Sequence, residues 1–117
     1  MLDLLFVYGT LRSAFDNPCA RMLRAEGRMI ALATASGSVF QMGHYPGWRP
    51  DPPGEVHGEL YRLADPTRTL KDLDEYEGPD FSRVLTRVST GEDAWIYRVE
   101  SRPPLDTRIV SGDFLAP

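Results

Sequence analysis

The residue with the clearest chemical potential is Glu77, at the predicted end of a helix. An Asp-Pro pair at 65–66 is a typical helix start and a Gly-Pro pair at 78–79 a typical stop, so the helix runs from about the proline to about Glu77. At roughly 100° per residue, Leu70 and Leu73 set its buried face and Glu77 projects between them. Burial and the helix dipole both disfavour a charged carboxylate there, so we expect a raised pKa, which suits a general acid or base. The alternative is a frayed helix end that turns Glu77 to solvent.

A loop after the first apolar segment is the second candidate. Residues 4–8 form a nearly continuous apolar run, which is typical of a strand covered on both faces. The run leads from Tyr8 into Gly9, Thr10 and Leu11. Glycine permits a sharp turn that exposes successive N–H groups, and such rows of N–H groups bind carboxylates and oxyanions. No Gly-Lys-Ser/Thr follows, so a phosphate loop is not predicted.

Other familiar chemistries find little support in the sequence. His44 and His57 are the only histidines, and neither has a spacing typical of a metal site, so we expect no metal. A nucleophile elbow and a dinucleotide fingerprint are both missing from the sequence. Cys19 shares the buried face of a second predicted helix, about 18–26, which favours a packing role over a nucleophilic one. Acid/base chemistry by carboxylates is what remains.

Two further acidic residues lie close to Glu77 on the predicted helix. Glu75 falls on the face opposite the leucines, where we expect it in solvent. Asp74 lies near the boundary of the buried face, where it could cap the helix, pair with an arginine or orient Glu77.

Length, composition and charge limit the class of protein. We expect one domain over residues 1–117, long enough to bury roughly two-thirds of its unfolded surface. A net charge of −4 and a pI near 5.1 argue against a surface for nucleic acid or acidic membranes. The single cysteine excludes an internal disulfide and suits a reducing compartment. The apolar start at 2–8 is too short for a signal peptide or membrane span, so we expect a cytoplasmic protein.

The rest of the chain predicts mainly strands. Two apolar runs within 29–42 indicate a pair of strands, or one strand with an irregular return. Alternation over 55–63 indicates another strand, and 83–89 with 94–100 indicate a hairpin. With the two helices, this order predicts an α+β fold whose mixed or antiparallel sheet curls because few helices cover it.

The segment 45–54 is rich in proline and glycine, so we expect an irregular loop. It carries Trp48, which could flank a substrate pocket or cover an apolar edge of the core.

Six short motifs occur in order along the chain. Tyr8-Gly9-Thr10-Leu11-Arg12 follows the first strand, and Leu73-Asp74-Glu75-Tyr76-Glu77-Gly78 is followed by Phe81 and Arg83. The other four motifs are Tyr45-Pro46-Gly47, the strand 56–61, Ala94-Trp95-Ile96-Tyr97 and Ser111-Gly112-Asp113-Phe114. Together they resemble the γ-glutamylcyclotransferase-like superfamily, whose signatures are YG[ST]L and LDxxEGxx[YF]xR. The pattern is most similar to the small AIG2-like members and the γ-glutamylamine cyclotransferases.

This resemblance implies a small mixed β-barrel-like sheet with two flanking helices and a cavity at one end. It also implies that the free α-amine of a γ-glutamyl unit attacks its own γ-carbonyl, releasing 5-oxoproline and an amine or amino acid without a cofactor. The family assigns the acid/base role to the glutamate that matches Glu77. Its substrate loop matches Tyr8, Gly9, Thr10 and Leu11.

Two positions of the second motif bear on the substrate. Phe81 stands where many members carry tyrosine, so a hydroxyl that could touch the substrate is absent, which affects substrate choice. Arg83 could pair with Asp74 or with a substrate carboxylate, and we favour the ion pair.

The expected partner is a small γ-glutamyl substrate, with no nucleic acid and no membrane, and the oligomeric state stays open. One alternative is a non-catalytic AIG2-like module that binds a small γ-glutamyl-like ligand or a protein partner. Another is an enzyme that removes a γ-glutamyl protecting group from a biosynthetic intermediate.

Overall fold

Seven strands form one curled mixed sheet in the part of the chain that the computed structural model describes, residues 2–117, and two α-helices pack on its outer face. In chain order the elements are β1 (Leu4–Val7), α1 (Pro18–Glu26), β2 (Gly27–Ser36), β3 (Ser38–Met42), β4 (Tyr45–Arg49), β5 (Glu55–Leu63), α2 (Pro66–Glu77), β6 (Phe81–Arg87), β7 (Asp93–Val99) and a 3₁₀ turn (Leu105–Thr107). The strand order is β2-β5-β1-β7-β4-β3, and β6 pairs with β7. The predicted α+β class, with a small barrel-like mixed sheet and two flanking helices, is confirmed.

The first strand, β1, lies at the centre of the sheet. It pairs antiparallel with β5 and parallel with β7. Leu4 and Phe6 pack into the core inside the curled sheet, whereas Leu5 and Val7 pack outward under the helices. The strand is therefore covered on both faces, as its apolar run predicts, and it ends where the Gly9 loop begins.

Strand β2, at one end of the sheet, approaches the end of β6 and gives the sheet a barrel-like shape. Ala35 of β2 forms an antiparallel bridge with Val88, just beyond β6. Ser89 N–H donates to the carbonyl oxygen of Thr34 at 2.9 Å, and Thr34 N–H donates to Ser89 Oγ at 2.9 Å. This contact encloses the inner core, which is built from strand residues and the segments that join them.

Helix α2 has the predicted bounds, Pro66–Glu77. The side chain of Asp65 accepts a hydrogen bond from Arg68 N–H at 3.3 Å, which caps the first turn. Leu70 and Leu73 are fully buried against the outer face of the sheet. Local start and stop signals and the spacing of two leucines therefore fix both the length of this helix and the face that it buries.

Helix α1 also begins and ends as predicted. Asn17 caps it by accepting a hydrogen bond from Ala20 N–H at 2.8 Å, and Leu23 is fully buried. Cys19 lies partly buried against the outer core, and burial is the main cause of a raised pKa of its thiol. A raised thiol pKa fits the predicted packing role, since it leaves little nucleophilic thiolate.

Strand β5 has the predicted bounds, and β6 with β7 forms the predicted hairpin with each strand displaced by one or two residues. In that hairpin Val84 lies opposite Ile96. Neither helix within residues 2–117 has the length and apolar character needed to cross a bilayer.

The predicted loop over 45–54 is wrong in its first half. Tyr45–Arg49 is strand β4, paired antiparallel with β3. Strand β4 tolerates Pro46, which has no N–H to donate. It pairs with β7 only at Trp48 and Arg98, so the missing donor near its start interrupts no hydrogen bonds to β7.

Trp48 is 3% exposed inside the curled sheet, and its indole N–H donates to the carbonyl oxygen of Ser36 at 3.1 Å. Of the two roles left open for Trp48, the structure supports packing on the core and not the flank of a pocket.

The two apolar runs within 29–42 form strands, but not a pair. β2 pairs along its length with β5, and β3 pairs with β4. A sequence with a short polar connection between two apolar runs suggests a hairpin, whereas here the chain passes from one end of the sheet to the other.

Glycine is required where the C-terminal segment joins the sheet. Gly112 accepts a hydrogen bond from His57 N–H at 2.8 Å and has a φ of +73°. A Cβ atom at this position would overlap the backbone oxygen of Glu55. Both the backbone conformation and the available space therefore exclude a larger residue.

We expect Gly112→Ala to lower the free energy of unfolding by about 3 kcal/mol, because it adds a backbone overlap to the left-handed strain. Gly91→Ala is the matched control: its φ is +92° but its surroundings are open, so only the strain of about 1–2 kcal/mol remains. Urea unfolding of both variants measures the difference. Equal losses in the two variants would show that the C-terminal segment is not held against β5 as described.

Candidate functional site

A cavity of about 430 Å³ opens at the end of the sheet where β1 and α2 both finish. Its deep wall comes from β1 and the loop after it, and its rim comes from the β3–β4 turn, the end of α2 and the start of β6. Every candidate catalytic and substrate-binding residue predicted from the sequence lines this cavity: Tyr8, Gly9, Thr10, Leu11, Glu77 and Phe81. The fold thus brings two motifs about 70 residues apart to one place.

Glu77 is the last residue of α2, and its side chain is partly buried in the cavity wall. Burial raises the pKa of this carboxyl from 4.5 to about 7. The predicted increase is confirmed, with desolvation as its cause. The alternative of a frayed helix end turned to solvent does not apply, because Gly78 N–H closes the last turn by donating to the carbonyl oxygen of Asp74 at 3.1 Å.

Two buried tyrosines lie near Glu77. Burial first, and the charge of Glu77 among the further causes, raise the pKa of both Tyr8 and Tyr97. The hydroxyl of Tyr8 donates to the carbonyl oxygen of Tyr97 at 2.7 Å and accepts from Trp48 N–H at 3.0 Å. The hydroxyl of Tyr97 donates to Asp74 Oδ1 at 2.7 Å. Since both phenol protons are held by other acceptors, Glu77 is a better candidate for proton exchange than either tyrosine.

The loop after β1 offers backbone donors to the cavity. Among the described residues, the N–H groups of Gly9, Thr10 and Leu11 donate no hydrogen bond, whereas Arg12 N–H donates to the carbonyl oxygen of Gly9 at 3.0 Å. A Cβ atom on Gly9 would lie 2.5 Å from Pro46 Cγ, so glycine is needed for the close approach to β4. Free N–H groups in a partly buried wall can hold a carboxylate or an oxyanion.

A buried carboxylate anchors the far end of this loop, and sequence reasoning did not single it out. Glu59 of β5 is 3% exposed; its Oε1 accepts from Ser13 N–H at 2.7 Å and its Oε2 from Ser13 Oγ at 2.8 Å. Arg12 lies 3.8 Å from Glu59 and binds Asp113 at 2.8 Å. Glu59 lies on the outer face of β5, on the same side as Tyr61, and the loop after β1 covers it there. The sequence offers one signal for Glu59, which is that its immediate neighbours in the strand are Gly58 and Leu60.

The ion pair of Asp74 and Arg83 fixes the end of α2 against the hairpin. Arg83 Nε lies 2.9 Å from Asp74 Oδ1, and its Nη2 lies 3.2 Å from Oδ2. Burial acts to raise the pKa of Asp74, but the hydrogen bonds from Arg83 and Tyr97 outweigh it and lower the pKa. The guanidinium also stacks 4.3 Å above the ring of Trp95. Of the alternatives for Asp74 and Arg83, the structure confirms the ion pair.

The rim of the cavity contains side chains that the sequence did not indicate. They are His44, Tyr45, Tyr76 and Asp80. Tyr45 belongs to the Tyr45-Pro46-Gly47 motif, but nothing in that motif indicates that its side chain faces a cavity. Tyr76 and Asp80 flank the predicted end of α2, where a surface position is the default expectation for either residue type.

We expect Glu77→Gln to change how stability depends on pH. The pKa of Glu77 is about 7 in the folded protein and near 4.5 when unfolded, so the folded state binds the proton more tightly. The wild type must therefore lose stability as pH rises from about 4.5 to about 7, by on the order of 1–3 kcal/mol, and the variant must lack this loss. Urea unfolding at pH 5 and pH 8 measures both, with Glu75→Gln as the solvent-exposed control on the same helix. Parallel pH curves for wild type and Glu77→Gln would contradict the raised pKa.

Comparisons with known proteins agree with this architecture. Residues 5–116 match the family described as "Gamma-glutamyl cyclotransferase, AIG2-like". The "Gamma-glutamylcyclotransferase family protein YtfP" of Escherichia coli K12 is 32% identical over 112 residues, which cover 95% of each chain. The solution structure of ytfP from Escherichia coli has a TM-score of 0.72 at 30% identity, covering 97% of this chain and 96% of that one.

A more distant structure shows the same fold. The crystal structure of an uncharacterized protein from Pyrococcus horikoshii has a TM-score of 0.78 at 24% identity and covers 96% of this chain and 89% of that one. The family match spans nearly the whole sequence and includes both segments that line the cavity. The chain therefore belongs to the AIG2-like γ-glutamyl cyclotransferase family.

Proposed function

We propose that this protein is a γ-glutamyl cyclotransferase that releases 5-oxoproline from a γ-glutamyl amine or a γ-glutamyl amino acid, with Glu77 as general acid and base. The observation that carries the proposal is a carboxyl group with a pKa of about 7 in a cavity whose wall also offers uncommitted backbone N–H groups. Membership of the family supports this reaction class.

In the proposed reaction the substrate supplies its own nucleophile. Anionic Glu77 accepts a proton from the α-ammonium of the glutamyl unit, and the resulting amine attacks the γ-carbonyl carbon. The new C–N bond closes a five-membered ring and leaves the carbonyl oxygen negatively charged. As the C–N bond to the leaving group breaks, the protonated carboxyl returns its proton to the leaving nitrogen. The ring nitrogen gives up its remaining extra proton, and the released amine takes one from solvent.

The groups in the cavity match what the proposed reaction requires of the protein. Intramolecular attack already contributes proximity, so the protein has two tasks left, proton transfer and stabilisation of negative charge. A carboxyl with a pKa near 7 is populated in both forms at neutral pH, so one residue can serve as base and then as acid. The N–H groups of Gly9, Thr10 and Leu11 are the available donors for the substrate carboxylate and the oxyanion. None of these steps requires a cofactor.

Phe81 contributes shape to the proposed substrate site. It lies in the cavity wall with its ring centroid 6.0 Å from that of Tyr45. Without a hydroxyl at this position, substrate contacts here are apolar or involve the aromatic face. Asp74 and Arg83 act in this proposal as positioning residues, since their ion pair holds the helix turn that carries Glu77.

We expect Glu77→Gln to reduce 5-oxoproline release by roughly 10²- to 10⁴-fold, the usual contribution of a positioned acid/base. The assay should span γ-glutamyl-lysine, simple γ-glutamyl amines, γ-glutamyl dipeptides and glutathione, with Glu75→Gln as control. In the wild type, kcat/KM should rise with pH and level off above an apparent pKa near 7. Near-full turnover by Glu77→Gln would contradict the assigned role. Calorimetric binding of these compounds by the wild type without product would favour the non-catalytic binding module.

We expect Glu59→Gln to loosen the loop after β1, and so to weaken substrate binding, without changing proton transfer by Glu77. The amide cannot keep both hydrogen bonds from Ser13 with the same strength and removes the charge near Arg12. KM should rise about tenfold, since losing one charge-assisted bond is worth roughly that factor. The apparent pKa of kcat/KM should stay near 7. A shift of that pKa, with KM unchanged, would show that Glu59 acts on Glu77 instead of on the loop.

A further inference from the structure

We propose that the C-terminal segment, residues 109–116, sets the position of the loop after β1, and that Asp113 is a positioning residue that acts through Arg12. The inference rests on the proposed function, which takes the free N–H groups of residues 9–11 as donors to the substrate. It gives a role to the Ser111-Gly112-Asp113-Phe114 motif, which lies outside the lining of the cavity.

The loop after β1 is a tight turn that Arg12 closes. Arg12 N–H donates to the carbonyl oxygen of Gly9 at 3.0 Å, so Thr10 and Leu11 are the central residues of a four-residue turn. Asn17 Nδ2 donates to the carbonyl oxygen of Thr10 at 2.8 Å and holds the turn from the side of α1. A displacement of Arg12 therefore moves the N–H groups of Thr10 and Leu11 relative to the cavity.

The side chain of Arg12 depends on Asp113 for its position. Arg12 is 8% exposed, and its Nη1 donates to Asp113 Oδ1 at 2.8 Å. Its Nε lies 3.8 Å from Glu59 Oε2 and donates no hydrogen bond to any residue within 2–117. Glu59 therefore adds charge attraction, whereas Asp113 supplies the hydrogen bond that fixes the direction of the guanidinium.

The segment that carries Asp113 is itself fixed to the sheet. Ile109 is buried in the inner core, and its N–H donates to the carbonyl oxygen of Val39 at 2.8 Å. His57 N–H of β5 donates to the carbonyl oxygen of Gly112 at 2.8 Å, one residue before Asp113. These contacts give Asp113 a position that does not depend on the loop.

Local hydrogen bonds orient the carboxylate of Asp113. Its backbone N–H donates to Ser111 Oγ at 3.1 Å, and Leu115 N–H donates to its Oδ1 at 2.9 Å. Burial acts to raise the pKa of Asp113, but the hydrogen bonds from Arg12 and Leu115 outweigh it and lower the pKa. The carboxylate is therefore charged at neutral pH and directed at Arg12.

A second contact joins the same two parts of the chain. The rings of Phe15 and Phe114 stack with their centroids 6.0 Å apart at an angle of 24°. Phe114 also packs on the inner core, so the stack links the chain just beyond Arg12 to the sheet. The C-terminal segment thus holds the loop through an ion pair and through an aromatic contact.

Asp113→Asn tests the ion pair, because it keeps the size of the side chain and removes its charge. We expect KM for the best γ-glutamyl substrate to rise about three- to tenfold, since a neutral hydrogen bond replaces a charge-assisted one. The apparent pKa of kcat/KM should stay near 7, because Glu77 is unchanged. Asp51→Asn is the matched control: it removes an ion pair of the same length, 2.8 Å to Arg102, from a loop outside the cavity. It should leave KM unchanged.

A double variant tests whether Asp113 acts through Arg12. In an Arg12→Gln background, Asp113→Asn should change KM by less than about twofold, because the partner of the carboxylate is already gone. Multiplication of the two single effects would show that Asp113 acts on the substrate by another route and would overturn the assignment.

Backbone ¹⁵N relaxation measures the position of the loop without any substrate. We expect the order parameters of Thr10 and Leu11 to fall in Asp113→Asn from about 0.85, typical of a rigid backbone, toward about 0.6, and to stay high in Asp51→Asn. Unchanged order parameters, or an unchanged KM, would overturn this inference and leave the cyclotransferase standing. If the wild type released no 5-oxoproline from any compound, the proposed function would fail, and the relaxation data would still decide whether Asp113 holds the loop.

Discussion

The ion pair between Asp74 and Arg83 holds the helix turn that carries Glu77. This pair joins the last turn of α2 to β6, and Tyr97 of β7 adds a hydrogen bond to the same carboxylate. Without it, a helix that ends in a negatively charged residue would lower its free energy by fraying and exposing that residue to water. Because the turn is held, the carboxyl stays at the cavity wall and desolvation raises its pKa. The proposed acid/base role of Glu77 rests on this restraint.

The buried carboxylate of Glu59 and the partly buried carboxylate of Glu77 have opposite surroundings. Glu59 is the more deeply buried, and it accepts hydrogen bonds from Ser13 N–H, Ser13 Oγ and Tyr61 OH. Glu77 is less buried, but desolvation dominates its environment. The first carboxylate is satisfied by its neighbours and therefore stabilises the loop that it holds, whereas desolvation of the second raises its pKa to about 7. Two residues of the same type thus have different roles because their surroundings differ.

The parts of this structure that were predictable from sequence are those that local interactions determine. The bounds of α2 followed from a capping aspartate, a proline and a terminal glycine, and the position of Glu77 followed from its spacing to two leucines. Strand pairing is not local, so the separation of β2 from β3 and the formation of β4 by a proline-bearing segment were not predictable in this way. The same holds for Glu59, whose hydrogen-bond donors on Ser13 come from a loop distant in sequence.

The most direct test of this account is an NMR titration of the side-chain carboxyl carbon of Glu77 in the folded protein, with Glu75 on the same helix as the internal reference. The account predicts a midpoint near pH 7 for Glu77, because its desolvation is not offset. It also predicts that Arg83→Lys, which weakens the fork that holds the helix end, moves this midpoint toward 4.5. A midpoint near 4.5 in the wild type would show a hydrated carboxylate and would contradict the central claim.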